Sequence, residues 1–400
     1  MAVEVHAGGD VAGQLTRSER EPGVFLFGYD VRASAGQAVS LTMPVQRDQY
    51  DSMGELHPIF EMNLPEGALR QRIELMFSKA LGEFDSLMLL QLLGRSQIGR
   101  LRYTAPGQAI DDVPQQDVEA LIAAEGTQTY FQALLERFAS HSGVSGMQPK
   151  VLVRALAAPV DRATERGATH IIKSFDAREY PELAANEYFC QRASALSGLP
   201  TARARLSADR SMLIVDRFDL VNGQYLGFED FCVLFALRSS GRYLGSYENL
   251  AEHIGRFVRD PVKDLQQFFA TLVLACVVGN GDAHLKNFGV LYDAPGENVR
   301  LAPVYDMVST RRYVREDPLA LTLNGTKAFP DREALIRFGR KHCGLSSKLV
   351  HTAFEAVEEG TRAALRELNA YAKEAAGFEA HAQGLREQFE MGLARTLASG

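Results

Sequence analysis

Gly279-Asn280-Gly281-Asp282-Ala283-His284-Leu285-Lys286-Asn287-Phe288-Gly289 is the stretch on which the fold turns. A largely apolar run, 264–278, leads into it and predicts a buried helix. Two strand-like segments follow, 288–292 and 299–304, joined by Ala294-Pro295-Gly296-Glu297-Asn298. The chain then reaches Tyr305-Asp306-Met307.

That order suits phosphoryl transfer. Such a reaction needs a carboxylate to take a hydroxyl proton and oxygens to hold a metal ion, more than it needs covalent chemistry. In protein kinases the catalytic loop carries an Asp and, five residues later, a metal-binding Asn; a second metal-binding Asp follows. Asp282, Asn287 and Asp306 have that spacing. The Asp–Asn spacing alone proves little. The succession of apolar helix, loop, hairpin and second Asp is the specific part.

Composition sets the frame. At roughly 100–200 residues per domain, 400 residues make two or three domains with ample core. The formal net charge of −7 argues against a nucleic-acid binder by charge alone, although a local basic patch is compatible with it. No run approaches the roughly 18 apolar residues of a membrane span, and the start, Met-Ala-Val-Glu-Val-His, has neither a basic nor an apolar leader pattern. Cys190, Cys232, Cys276 and Cys343 are scattered, without a Cys-x-x-Cys pair. They read as reduced core residues of a cytoplasmic protein.

Residues 1–107 read as a separate module. Strands are expected at 24–29, 39–43 and 100–104, and helices at 70–81 and 87–93, the last ended by Gly94. Leu64-Pro65-Glu66-Gly67 opens the first helix, with Pro65 in its first turn. Residues 108–140 read as a linker and a helix, 118–138. Next comes a Gly-rich turn, His141-Ser142-Gly143-Val144-Ser145-Gly146-Met147-Gln148-Pro149-Lys150. Such a turn can offer backbone N–H groups to phosphate oxygens, or it can be an ordinary β-turn; it is neither a Walker A motif nor a full Gly-x-Gly-x-x-Gly. Strands at 151–155 and 168–173 follow, the second ending in Lys173, the place of a phosphate-reaching kinase Lys. A helix is expected at 182–196, ending before Gly198, with Glu187 or Glu182 as a candidate partner for Lys173. The strand 211–215 leads to Asp216-Arg217-Phe218-Asp219, where backbone and Phe218 could meet a purine. From Phe228 the pattern is helical: 229–234, 247–257 and 264–278, then 332–343, 348–359, 362–375 and 378–397.

Together these motifs resemble the HipA family, the serine/threonine kinase toxins of bacterial HipA–HipB toxin–antitoxin pairs. The matching pieces are Gly143–Lys150, His170–Lys173, Ala185–Cys190, Val215–Asp219, Glu229–Cys232, Asn280–Phe288 and Tyr305-Asp306, with Leu64–Gly67 in the first module. The resemblance implies an α+β fold: an N-terminal β-rich subdomain, a bilobed kinase-like core with its N-lobe at 141–225, and a helical C-lobe at 226–400. It implies ATP and Mg²⁺ between the lobes. Asp282 would accept the proton, with His284 and Lys173 beside it in catalysis, and Asn287 and Asp306 would hold the metal. The nucleotide would meet Gly143, Val144, Ser145, Gly146, Gln148, Lys150, Lys173, Asp216, Arg217, Phe218, His284 and Tyr305. A serine of the Gly-rich loop would be autophosphorylated and silence the kinase; Ser145 and Ser142 are the candidates, since one family position for it falls on Gly143. Val233 stands where the family pattern leads one to expect a Gln. The implied substrates are aminoacyl-tRNA synthetases, notably glutamyl-tRNA synthetase. The implied partner is a HipB-like helix-turn-helix antitoxin, with DNA met through that complex and no membrane involved.

Two other readings share the loop. Aminoglycoside-kinase-like proteins phosphorylate small alcohols or amines with the same Asp–Asn–Asp arrangement. A kinase-like co-repressor without turnover would act by binding its antitoxin and DNA. The serine-bearing loop and N-terminal module favour a protein substrate over the first, and the intact Asp282, Asn287, Asp306 and Lys173 favour activity over the second.

Overall fold

The computed structural model describes residues 1–66, 70, 85–110, 115–116, 118–123, 150–155, 168–175 and 178–397. It divides into two compact units. The first gathers Met1–Phe175, Arg205–Ser240 and Leu291–Asn298; the second gathers Asp176–Ala204, Gly241–Val290 and Val299–Gly400.

Alternation builds the first sheet of unit 1. In Ala2–Ala7 and Asp10–Arg17, Val3, Val5, Ala12 and Leu15 are buried while Glu4 is partly exposed and Gln14 exposed. Five strands lie side by side in the order Tyr50–Met53, Val24–Tyr29, Asp10–Arg17, Ala2–Ala7 and Leu101–Thr104. Phe27 packs on Phe60 with ring centres 5.1 Å apart. The second sheet runs Gln115–Gln116, Lys150–Ala155, His170–Ser174, Met212–Asp216 and Ala204–Leu206. Val151, Leu152, Val153, Ile172 and Leu213 make its interior.

Polar ties join the first 107 residues to the segments that follow the Met212–Asp216 strand. Asp219 accepts from the Gly99 N–H at 2.6 Å and from Arg217 Nε at 2.9 Å, and Arg217 also donates to the Gln97 carbonyl at 2.8 Å. Arg102 and Arg217 each lie 4.4 Å from the centre of the Tyr225 ring. Glu229, fully buried, accepts from Ser40 Oγ at 2.6 Å, the Leu41 N–H at 2.8 Å and Tyr292 Oη at 2.7 Å.

Unit 2 is built on the helix Pro261–Val278, which starts behind the N-cap Asp260 and is buried along its second half. It packs against the helices Tyr247–Phe257, Ser347–Glu374 and Glu379–Leu397. Among the described residues it is the one helix long and apolar enough to cross a membrane, and 67% of it is buried inside the protein. Its apolar face is therefore spent on core packing. The four cysteines are free and buried.

Several local expectations change. Residues 39–43 form a turn with a Ser40–Met43 bridge rather than a strand, because Ser40 is drawn to Glu229 and holds the Thr42 N–H. Glu229 lies in the strand Gly227–Asp230, and the helix after it is only Phe231–Leu234, capped by the Asp230 side chain. The second hairpin strand shrinks to Arg300–Leu301. The helices expected at 348–359 and 362–375 are one, Ser347–Glu374. Gly360 does not break it. It lies so close to Ser197 that an added Cβ would come 2.2 Å from Ser197 Oγ, so the glycine makes room rather than a turn. The helix expected at 70–81 and most of that at 118–138 lie outside the described residues; Val118–Ala123 is helical.

The buried Glu229 gives a pH signature. Burial raises its pKa from the ordinary 4.5 to about 6, despite its three donors. A carboxyl raised in the folded state stabilises the fold fully below pH 4.5 and loses that contribution as pH climbs through 6. The shift corresponds to about 2 kcal/mol. Glu229→Gln should flatten this loss: the difference in urea midpoint between variant and wild type should move in the variant's favour from pH 4.5 to 6. A pH-independent difference would refute the assignment.

Candidate active site

The catalytic loop begins where the 261–278 helix ends. Gly279 closes that helix in the left-handed region (φ 71°), and the Gly279 and Asn280 N–H groups both return to the Ala275 carbonyl. Asn280 Oδ1 accepts from the Asp282 N–H at 2.9 Å, and the Asp282 carbonyl accepts from the His284 N–H at 2.8 Å. Gly281 donates its N–H to Thr310 Oγ1 at 2.8 Å, and Thr310 in turn hydrogen-bonds Asp317. A Cβ on Gly281 would fall 2.1 Å from Asp317 Oδ2, so only glycine lets the loop pass here. Asn186 clamps the segment after Asp306 from both sides, donating to the Ser309 carbonyl at 3.0 Å and accepting its N–H at 2.8 Å.

Asp282 sits in a recess of charges. Burial raises its pKa, Tyr243 and Arg242 pull it back down, and Asp306 and Asp317 push it up again. Tyr243 Oη donates to Asp282 Oδ1 at 2.7 Å. His284 Nε2 lies 3.9 Å from the same oxygen. Burial, with Arg242 and Lys286 nearby, pushes the His284 pKa down to about 3, so its imidazole is neutral at physiological pH. Asp306 occupies the left-handed region (φ 52°), a conformation that costs a non-glycine residue of order 1–3 kcal/mol and that clusters at functional sites.

Asn287 Oδ1 is buried and, among the described residues, has no hydrogen-bond donor. An oxygen left in that state suits a cation. Among the described residues no three His, Cys, Asp or Glu side chains come together to hold a metal. An ion here would take Asn287 and Asp306 and complete its shell with water or phosphate oxygens, as Mg²⁺ commonly does.

Of the other expected residues, Lys150, Lys173, Asp216, Arg217 and Phe218 lie in unit 1, and Glu187 and Tyr305 in unit 2. Lys173 lies directly opposite Lys150 in the antiparallel pairing of Lys150–Ala155 with His170–Ser174. Both are buried, at 7% and 3% exposure for Lys150 and Lys173. Asp216 pairs with His170 at 3.3 Å and stands 3.8 Å from Arg205. Phe218 packs edge-on against Phe228 at 5.5 Å. The Arg217 guanidinium is buried on Asp219 and the Gln97 carbonyl, and its N–H is bonded to the Thr169 carbonyl at 3.0 Å. Little of Arg217 is left for a nucleotide; its side chain holds unit 1 together. Tyr305 Oη is bonded to the Lys286 carbonyl at 2.8 Å and steadies the loop. Glu187 is buried and accepts from Gln191 at 3.0 Å. Val233 is buried, with its N–H on Asp230. Gly143, Val144, Ser145, Gly146, Gln148 and Ser142 lie outside the described residues.

Tyr243, Arg242, Thr310 and Asp317 were missed by sequence reasoning. Tyr243 stands 39 residues before its partner, in a loop whose Ser-Ser-Gly-Arg-Tyr-Leu-Gly composition carries no periodic signal.

The HipA-like C-terminal domain matches residues 142–365, more than half of the chain, and the HipA N-terminal domain matches residues 3–104. The chain belongs to the HipA family. Two relatives from Sinorhizobium fredii, Y4mE and Y4dM, are named as candidate kinases. Y4mE is 28% identical over 69% of this chain and 69% of its own length; Y4dM is 28% identical over 75% and 74%. HipA of Shewanella oneidensis MR-1, solved with HipB and its operator DNA, superposes with a TM-score of 0.71 at 19% identity over 98% of this chain and 96% of that one. The α+β, kinase-like fold expected of this HipA-family chain is thus the observed one.

The His284 assignment can be checked directly. Its ring resonance, identified by its loss in His284→Gln, should stay fixed from pH 5 to 8. A midpoint inside that range would show that the imidazole is solvated.

Proposed function

We propose that this HipA-family chain is an ATP- and Mg²⁺-dependent serine/threonine protein kinase. The observation that carries the reading is the Asp282 carboxylate, which already accepts a hydroxyl at 2.7 Å, in a loop where Asn287 Oδ1 has no donor among the described residues and Asp306 is held left-handed. Two further supports are the family membership and the kinase names of relatives.

In this reading Asp282 takes the proton of the acceptor hydroxyl as transfer proceeds. Its depressed neighbour His284, neutral, donates or accepts a hydrogen bond without adding charge. Lys173 and Lys150 hold phosphate oxygens, and Asp216 and Phe218 face the base. Asn287 and Asp306 hold Mg²⁺, which when bound neutralises charge on the phosphate oxygens.

The chain acts, in our proposal, as the toxin of a type II toxin–antitoxin module in the cytoplasm. Its partner is a HipB-like helix-turn-helix antitoxin, through which it meets operator DNA; the fold likeness to a HipA solved in such a complex supports this partner. Its substrate is an aminoacyl-tRNA synthetase such as glutamyl-tRNA synthetase, whose phosphorylation halts translation. Autophosphorylation of Ser145 or Ser142 switches it off.

The test is phosphate transfer from γ-labelled ATP with Mg²⁺, wild type beside Asp282→Asn, on the chain itself and on purified synthetases. Transfer should fall about 10²–10⁴-fold in the variant while ATP binding persists. Transfer in the variant at the wild-type rate would remove Asp282 from the mechanism. Label in small alcohols but in no protein would redirect the substrate class.

A further inference from the structure

The segment ahead of the Tyr247–Phe257 helix is stitched to the catalytic loop. The Arg242 carbonyl accepts from the Leu285 N–H at 3.1 Å, and Tyr247 Oη donates to the Ala283 carbonyl at 2.9 Å. These two bonds bracket Tyr243 and place it over Asp282. Its phenol donates to Asp282 Oδ1 at 2.7 Å. Its ring meets the His284 ring edge-on at 5.1 Å. Among the described residues, the hydrogen bonds on the Asp282 carboxylate fall on Oδ1.

We propose that Tyr243 is the positioning residue of the phosphoryl-transfer loop: by holding Asp282 Oδ1 it fixes the carboxylate plane and leaves Oδ2 to receive the acceptor hydroxyl. The inference rests on Asp282 being the proton acceptor.

Three features favour this over a purely structural tyrosine. Tyr243 is 44% exposed, so its ring contributes little core. Its hydroxyl bonds to the carboxylate assigned to chemistry rather than to backbone, unlike those of Tyr247 and Tyr305. The charges facing Asp282 are mixed: Arg242 from the same segment, Asp306 after the hairpin and Asp317 beyond it. The two acidic neighbours repel the carboxylate, so a donor on one oxygen is needed to hold it in a single orientation. Proton acceptors work only when the reacting atoms are held in line, and small misplacements are costly.

The test compares wild type, Tyr243→Phe and Asp282→Asn in ATP turnover with Mg²⁺, read as ADP released, together with the ATP concentration for half-maximal rate and the thermal midpoint. Tyr243→Phe keeps the ring and its edge-on contact with His284 but removes the donor. We expect kcat to fall about tenfold, the size of one hydrogen bond to a charged group. KM for ATP should stay within about twofold and the thermal midpoint should not move. An unchanged kcat would overturn the inference. So would a fall accompanied by a raised KM or a lowered midpoint, which would mark the tyrosine as structural. Full turnover in Asp282→Asn would instead overturn the proton-acceptor reading beneath it, and a wild type without turnover would overturn both.

Discussion

The burial of one helix end governs the active loop. Pro261–Val278 is enclosed by four other helices, so its last turn cannot shift without opening the core. Gly279 must then reverse the chain in a left-handed turn beside Gln388, where a Cβ would come 2.5 Å from Gln388 Nε2. From that fixed point Gly281, Thr310 and Asp317 hold the loop at its start, and Tyr305 and Arg242 hold it at its end. A loop carrying three of the candidate side chains, Asp282, His284 and Asn287, is thereby given the rigidity of the helix core behind it. Preorganisation of this kind is what phosphoryl transfer demands, because the protein contributes position and charge more than bonds.

Unit 1 solves a different problem. Buried charge ties its first 107 residues to the segments that follow the second five-stranded sheet. Arg217 and Asp219 pair in the interior, with Arg102 and Tyr225 stacked alongside, and Glu229 gathers Ser40, Leu41 and Tyr292. Removing one partner from such a set leaves a buried charge uncompensated, at several kcal/mol. The ties are therefore weak arguments for net stability and strong ones for a unique docking. They hold the strand Gly227–Asp230 and the Met212–Asp216 strand in defined places, and with them Asp216 and Phe218.

Regular elements with a clear period were legible in advance. The helices Tyr247–Phe257 and Leu183–Leu196 and the strands Val24–Tyr29, Lys150–Ala155 and Met212–Asp216 follow the pattern to within a residue. Two of the errors share one cause. Residues 39–43 alternate like a strand, and Gly360 sits like a helix break, yet in each case a distant group decides: Glu229 captures Ser40, and Ser197 occupies the space that Gly360 leaves open. Pattern reading sees neighbours in sequence and cannot see these.

The sequence by itself determined the order of helix, loop, hairpin and second Asp, and with it the identity of Asp282, Asn287, Asp306 and Lys173 as the residues of interest. Those depend on local spacing, which one strand of text contains. Tertiary structure alone decided the setting of each. It placed a tyrosine from 39 residues away on Asp282, left Asn287 Oδ1 without a donor among the described residues, set Lys150 across from Lys173 and turned Arg217 inward. Hydrogen bonds and buried charges act through space over a few ångströms, and no periodicity along the chain records which distant atoms folding brings that close.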